Sequence, residues 1–171
     1  MRKITALLAA LVLAAACETA SDTGATTGGA GAGAGAGAGS TAAKAPAENS
    51  VAYFQTQVGD RVFFDYDKFS LKADARATLE KQAAWLKKFP AVTLSVEGHC
   101  DERGTREYNL ALGERRANAA RDYLVSLGVS KDRVKTISYG KERPVAMGSN
   151  EAAWAQNRRG VSAITGGAPA N

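Results

Sequence analysis

Cysteine and histidine are nearly absent from this sequence, which has two cysteines, Cys17 and Cys100, and one histidine, His99, among 171 residues. A zinc site needs three or four suitably spaced ligands, so this supply excludes a site of that kind. Neither a phosphate-binding glycine loop nor a dinucleotide fingerprint occurs. We therefore expect no metal and no cofactor.

Long apolar runs are also missing. The run from Ile4 to Ala16, which follows the basic residues Arg2 and Lys3, is shorter than the roughly 20 residues of a membrane-spanning helix. A basic start followed by a short apolar run is typical of a signal peptide. We predict that residues 1–16 are a signal peptide, which is removed on export.

Cys17 follows directly on three alanines, and the stretch from Leu13 to Cys17 resembles the lipobox of bacterial lipoproteins. The match is imperfect, because Leu13 lies one position earlier than the pattern prefers. The alternative is ordinary cleavage that leaves a free thiol, which is a liability in an oxidising compartment. We expect lipidation of Cys17. Glu18 stands where inner-membrane retention signals usually have Asp, and this favours an outer-membrane anchor facing the periplasm.

Residues 17–50 have the composition of a linker. The stretch from Gly28 to Gly39 alternates glycine and alanine and has no large apolar side chain to bury, so it cannot form a core. A flexible coil of this length has a root-mean-square span on the order of 30 Å. From Val51 the composition becomes globular, and residues 51–171 are ample for one folded domain.

The charges are mixed. A formal net charge of +5 arises from 22 basic and 17 acidic residues that interleave along the chain. A protein that reads nucleic acid more often clusters its lysines and arginines. We therefore expect no nucleic acid as a partner and favour an anionic polymer of the cell wall.

Alternating strand and helix patterns predict an α/β fold, an α+β sandwich in which helices cover one face of a mixed four-stranded sheet. For example, Leu79, Ala83 and Leu86 share a helix face, and Pro90 ends that helix. The predicted strands are 61–66, 92–97, 134–139 and 160–164, and the predicted helices are 72–89, 105–127 and 151–157.

Four ordered motifs carry a family resemblance: Phe63 to Asp67, Val96 to Ala117, Ser138 to Glu142, and Asn157 to Arg159. Together they resemble the OmpA C-terminal-like family of peptidoglycan-binding domains. The pattern departs at Cys100, where Thr or Ala is usual, and at Gly160, where an apolar residue is expected. The resemblance implies a non-enzymatic protein that binds peptidoglycan. Lipid-anchored members of the family also engage TolB and other proteins of the Tol system.

The longest motif predicts a ligand pocket. Asp101 lies at the end of a strand, and three side chains at helical spacing project towards it from the next helix: Asn109, Leu112 and Arg116. Asp101 could accept from an ammonium, and Arg116 could make a two-pronged contact with a carboxylate. The resemblance implies that this ligand is the diaminopimelate of peptidoglycan stem peptides. The alternative is that Asp101 and Arg116 merely pair with each other.

The remaining candidates surround this pair. Each of two aspartates at the end of the first strand either completes the pocket or forms a turn. Of two adjacent arginines before the last strand, one is expected to brace the domain's own carboxylates while the other faces the ligand. Backbone groups near two further residues are expected to contribute. These candidates are, in turn, Asp65 and Asp67, Arg158 and Arg159, and Phe64 and Cys100.

A thiol hydrolase is the rival interpretation, because His99, Cys100 and Asp101 are adjacent. Neighbouring side chains on an extended chain point to opposite sides, whereas a cysteine nucleophile and its base must meet within hydrogen-bonding distance. We therefore expect no catalysis. His99 is expected to order the loop, and Cys100 to replace a small residue.

Overall fold

The computed structural model describes residues 45–170. The predicted signal peptide, Cys17 and most of the predicted linker lie outside the described residues. Within that range, no helix combines the length and the apolar character needed to cross a membrane.

The secondary structure follows the predicted alternation. Two irregular turns accompany the regular elements, a π-helical turn at Phe54–Gly59 and a 3-10 turn at Lys131–Arg133. The regular elements are helix α1 (Val51–Tyr53), strand β1 (Arg61–Phe63), helix α2 (Ala73–Lys88), strand β2 (Thr93–His99), helix α3 (Arg106–Ser126), strand β3 (Val134–Gly140), helix α4 (Glu151–Asn157) and strand β4 (Arg159–Gly166).

The four strands form one mixed sheet in the order β1-β4-β2-β3. Strand β4 is antiparallel to both β1 and β2, so that Gly160 pairs with Val62 and Ser162 with Val96. Strands β2 and β3 are parallel, with Val96 opposite Thr136. The predicted four-stranded mixed sheet is confirmed.

Helices α2 and α3 supply the second layer, and their apolar faces meet the sheet. Helix α3 contacts β2, β3 and β4, whereas α2 contacts β1 and α3. The buried residues between the layers include the faces that the sequence predicts: Leu79, Ala83, Leu86, Leu94, Val96, Ala117, Ala120 and Leu124. The predicted packing of helices on one face is therefore confirmed.

The structure differs from the sequence prediction at the N-terminal end of the domain. The prediction omits helix α1 and the π-helical turn after it, although Val51, Phe54 and Val58 recur at helical spacing. Ser50 is fully buried and caps α1, and the Glu48 carbonyl accepts from the Trp85 indole at 2.8 Å. The fold therefore begins a few residues before Val51, within the segment predicted as linker.

Strand β1 is also shorter than the predicted 61–66. It ends at Phe63, and the chain turns at Asp67, whose φ of 55° is left-handed. The carbonyl of Asp65, which a longer strand would offer to a neighbouring strand, accepts instead from Arg116 at 3.0 Å. The segment that follows β1 therefore hydrogen-bonds to a side chain of α3 and not to a neighbouring strand.

Strand β2 and helix α3 approach each other at two glycines. A Cβ on Gly98 would lie 1.8 Å from the carbonyl oxygen of Gly113, and a Cβ on Gly113 would lie 2.9 Å from the carbonyl oxygen of Gly98. No side chain fits between these backbones. This contact fixes the distance between the end of β2 and the helix that follows it.

We predict that Gly98→Ala lowers the free energy of unfolding by about 2 kcal/mol or more, because backbone atoms must shift to admit the methyl group. Urea denaturation measures this effect. Gly166→Ala is the control, since its Cβ would meet only the Thr93 hydroxyl, at 3.2 Å. Equal stability of the two variants would contradict the close approach.

His99 lies on the opposite side of β2 from α3 and is almost fully buried. Its Nε2 is 3.5 Å from a Glu97 carboxylate oxygen, and its ring lies beside Tyr139. Neither ring nitrogen has a hydrogen-bond partner among the described residues. Burial, together with the charges of Arg159 and Arg143, lowers the pKa of His99 to about 4.

This pKa predicts a loss of stability in mild acid. The unfolded chain takes up a proton near pH 6.5, whereas the folded chain resists it down to about pH 4. Stability should therefore fall by up to about 3 kcal/mol as the pH drops through this window. Urea denaturation of wild type and His99→Gln from pH 7 to pH 4.5 tests this. Parallel pH profiles for the two proteins would contradict it.

Candidate ligand-binding site

The loop between β2 and α3 is held from several sides. Gly104 has a left-handed φ of 89°, and the Thr105 hydroxyl caps α3 by accepting from the Tyr108 amide at 3.2 Å. The Asn109 side chain donates to the carbonyls of Arg103 and Thr105, at 2.7 and 3.0 Å. Lys141 donates to the carbonyls of Glu102 and Gly104. These bonds fix the backbone on both sides of Asp101.

A cavity of about 170 Å³ lies between this loop, the start of α3 and the turn after β1. It contains six of the residues that the sequence predicts, namely Asp67, Cys100, Asp101, Asn109, Leu112 and Arg116. Four further lining residues were missed by sequence reasoning, namely Tyr66, Arg103, Gly104 and Tyr108. The structure thus places Asp101 and Arg116 at one cavity.

Arg116 is only 1% exposed. Its guanidinium donates to three backbone carbonyls, those of Lys68 at 2.8 Å, His99 at 2.8 Å and Asp65 at 3.0 Å. No carboxylate among the described residues lies within ion-pair distance of it. Burial lowers its pKa, although the nearby Cys100 and Asp101 oppose this. Arg116 is a buried cation without an ionic partner in the described part of the chain.

Asp101 is 4% exposed and pairs with other arginines. Its Oδ1 accepts from the Arg103 amide at 3.1 Å and from Arg103 Nε at 3.2 Å. Its Oδ2 accepts from Arg103 Nη2 at 2.6 Å and from Arg158 Nη1 at 3.3 Å. Burial opposes ionisation, but the bonds from Arg103 and Arg158 outweigh it and lower the pKa of Asp101. The carboxylate therefore stays charged, and it does not pair with Arg116.

The residues after β1 divide between the cavity and its support. The buried ring of Phe64 lies 5.2 Å from the Arg116 guanidinium carbon. Asp65 supports Arg116 through its carbonyl, whereas its carboxylate contacts Lys72 at 3.4 Å, outside the cavity. Asp67 both forms the turn and lines the cavity, where its carboxylate accepts from the Tyr108 hydroxyl.

Neither Arg158 nor Arg159 lines the cavity, although one of them was expected to face the ligand. Arg158 is buried and braces the domain. It donates to Asp101, to Glu151 at 2.5 Å and to the Phe64 carbonyl at 3.1 Å. Arg159 donates to the carbonyls of Asn157 and Arg143. Besides Arg116, the arginine that lines the cavity and contacts Asp101 is Arg103.

Cys100 and His99 do not form a catalytic pair. The Cys100 thiol is buried and donates to the Asn109 carbonyl at 3.4 Å, and burial raises its pKa. The His99 ring instead contacts Tyr139 and Glu97. Since a reactive cysteine needs a lowered pKa and a nearby base, this thiol is a packing group.

Two arginines lie over aromatic rings, and one ring of each group, Tyr66 or Tyr108, lines the cavity. Arg103 lies between the rings of Tyr66 and Trp154, at 4.0 Å from each centroid. Arg115 lies over Phe69 at 5.5 Å and Tyr108 at 6.0 Å. The rings that stack on Arg103 lie far from it in sequence, so no local pattern predicts these stacking contacts.

Known proteins have a similar sequence and a similar fold. The OmpA family model matches residues 63–158. The peptidoglycan-associated lipoprotein of Rhizobium meliloti (strain 1021) is 57% identical over 124 residues, which are 72% of this chain and 70% of that protein. Its namesake in Mesorhizobium japonicum is 56% identical over 124 residues, covering 72% of this chain and 74% of the relative.

A solved structure agrees with these relatives. The crystal structure of the peptidoglycan-associated lipoprotein from Burkholderia pseudomallei matches with a TM-score of 0.63 at 42% identity, covering 65% of this chain and 96% of that one. The sequence and the fold lead to the same family. This chain belongs to the OmpA family, and it is similar to the peptidoglycan-associated lipoproteins within it.

Proposed function

We propose that this protein is a non-covalent tether between the outer membrane and peptidoglycan, and that its cavity binds the diaminopimelate of stem peptides. One observation carries the ligand assignment, which is the unpaired guanidinium of Arg116 in the same cavity as the charged carboxylate of Asp101. A buried cation without a partner carboxylate favours an incoming carboxylate. The free end of diaminopimelate offers a carboxylate and an ammonium together.

The relatives support peptidoglycan as the larger ligand. The two lipoproteins and the solved structure are named peptidoglycan-associated. A cavity of about 170 Å³ holds the end of one side chain and not a whole stem peptide, so most of the polymer would remain outside the domain. The protein is not an enzyme, and the packed thiol of Cys100 agrees with a binding role.

The membrane end of the tether is assigned to Cys17. A lipid on this cysteine, followed by a glycine- and alanine-rich linker, would hold the domain near the outer membrane on its periplasmic side and let it search for the wall. We also propose that TolB and other Tol proteins are partners, on the ground of the family resemblance. Nucleic acid is not among the proposed partners.

Arg116→Lys should weaken wall binding by tens- to thousands-fold, because lysine keeps the charge but loses the planar fork. Removing one member of a desolvated charge contact costs on the order of 2–5 kcal/mol, and lysine should recover little of this because it cannot make the two-pronged contact. Co-sedimentation of the full chain in detergent with purified sacculi measures binding, and thermal melting measures stability.

Arg133→Lys is the matched control for that experiment. Arg133 also donates to three backbone carbonyls, those of Val92, Leu86 and Phe89, but it does not line the cavity. Both variants lose a planar guanidinium that donates to three backbone carbonyls. If Arg116→Lys sedimented with sacculi as well as Arg133→Lys at equal folded fraction, Arg116 would not be a ligand contact.

Cys17→Ser should release the protein from outer membranes or leave it unprocessed, because serine offers no thiol for lipid attachment. Fractionation of the envelope and mass spectrometry of the mature N-terminus test this expectation. An unmodified N-terminus in the wild-type protein would rule out the anchor.

A further inference from the structure

The carboxylate of Asp101 has no free acceptor position. Four N–H donors reach its two oxygens, three of them from Arg103 and one from Arg158. A carboxylate has about four lone-pair positions. An incoming ammonium can therefore reach Asp101 only if one of these donors leaves.

Only the side chain of Arg103 is free to leave. Arg158 is 7% exposed along its side chain and is also bound to Glu151 and to the Phe64 carbonyl. The Arg103 side chain is 29% exposed. Its remaining contacts are the rings of Tyr66 and Trp154, which hold the guanidinium by stacking and not by a second carboxylate. Arg103 can turn into solvent without disturbing the backbone.

Replacing one cation by another on the same carboxylate gains little free energy, because the contact that forms resembles the contact that is lost. A simple amine therefore exchanges with Arg103 for almost no net binding. A ligand end with both charges differs, because its carboxylate also reaches Arg116, which no ionic partner occupies. That second contact supplies the net affinity.

We propose that Arg103 is a specificity-determining residue, which occupies Asp101 in the ligand-free protein so that a ligand's ammonium enters only when a carboxylate on the same ligand binds Arg116. This inference rests on the function proposed above. It means that the site rejects simple amines without any steric barrier. It also means that the zwitterionic end binds more weakly than it would to an unoccupied Asp101, since part of the binding free energy is used to displace Arg103.

Three small molecules test the contributions of the ligand's ammonium and carboxylate groups one at a time. These probes are meso-diaminopimelate, cadaverine, which keeps two similarly spaced ammonium groups without the carboxylates, and pimelate, which keeps the carboxylates without the ammonium groups. Calorimetric titration of the full chain in detergent compares wild type with Arg103→Gln. Arg115→Gln is the control for the loss of a nearby positive charge, because Arg115 lies 5.5 and 6.0 Å from the ring centroids of Phe69 and Tyr108 and makes no contact with Asp101.

Arg103→Gln should bind meso-diaminopimelate about tenfold more tightly than wild type and should gain measurable binding of cadaverine, whereas its affinity for pimelate should not rise. Arg115→Gln should match wild type with all three probes. Equal or weaker binding of meso-diaminopimelate by Arg103→Gln, with wild type binding normally, would overturn the role of Arg103 alone. Absence of meso-diaminopimelate binding in every protein would overturn the proposed ligand as well.

A second measurement needs no variant. The Nε–H resonance of Arg103 in the wild-type chain reports its bond to Asp101. Saturating meso-diaminopimelate should shift this resonance towards that of a solvated arginine, and pimelate should leave it in place. A resonance that saturating meso-diaminopimelate does not move would show that Arg103 stays on Asp101, which overturns the inference.

Discussion

The site depends on the hydrogen bonds that the buried guanidinium of Arg116 donates to three backbone carbonyls. The guanidinium joins α3 to the turn after β1, through the carbonyls of Asp65 and Lys68, and to the end of β2, through the carbonyl of His99. The close approach of Gly98 to Gly113 brings β2 near enough for that last bond. Strand, turn and helix therefore meet at one cation, and the loop that carries Asp101 starts from this junction.

The two charges of the site differ in whether they already have an ionic partner. Arg116 is satisfied by neutral carbonyls and keeps its net charge for a ligand, whereas Asp101 is already neutralised by Arg103 and Arg158. The cavity thus favours the entry of a carboxylate, and an ammonium follows by exchange.

Much of the fold follows from local patterns. Helix α4 was predicted at 151–157, where the structure has it, and the Asn150 side chain caps it by accepting from the Ala153 amide. The Arg103 side chain, by contrast, bonds to Asp101 two residues away but stacks on the rings of Tyr66 and Trp154, which come from distant segments. The three carbonyls that hold Arg116 come from two distant segments. Sequence periodicity cannot specify such long-range contacts, so it found Asp101 and Arg116 but not the carbonyls that hold Arg116 or the rings that hold Arg103.

The most direct test of the account is a structure of the chain bound to meso-diaminopimelate. The account predicts one ligand carboxylate within about 3 Å of the Arg116 guanidinium nitrogens. It also predicts the neighbouring ammonium on Asp101, with the Arg103 side chain turned away. A ligand bound outside this cavity, or bound inside it with no contact to Arg116, would contradict the account.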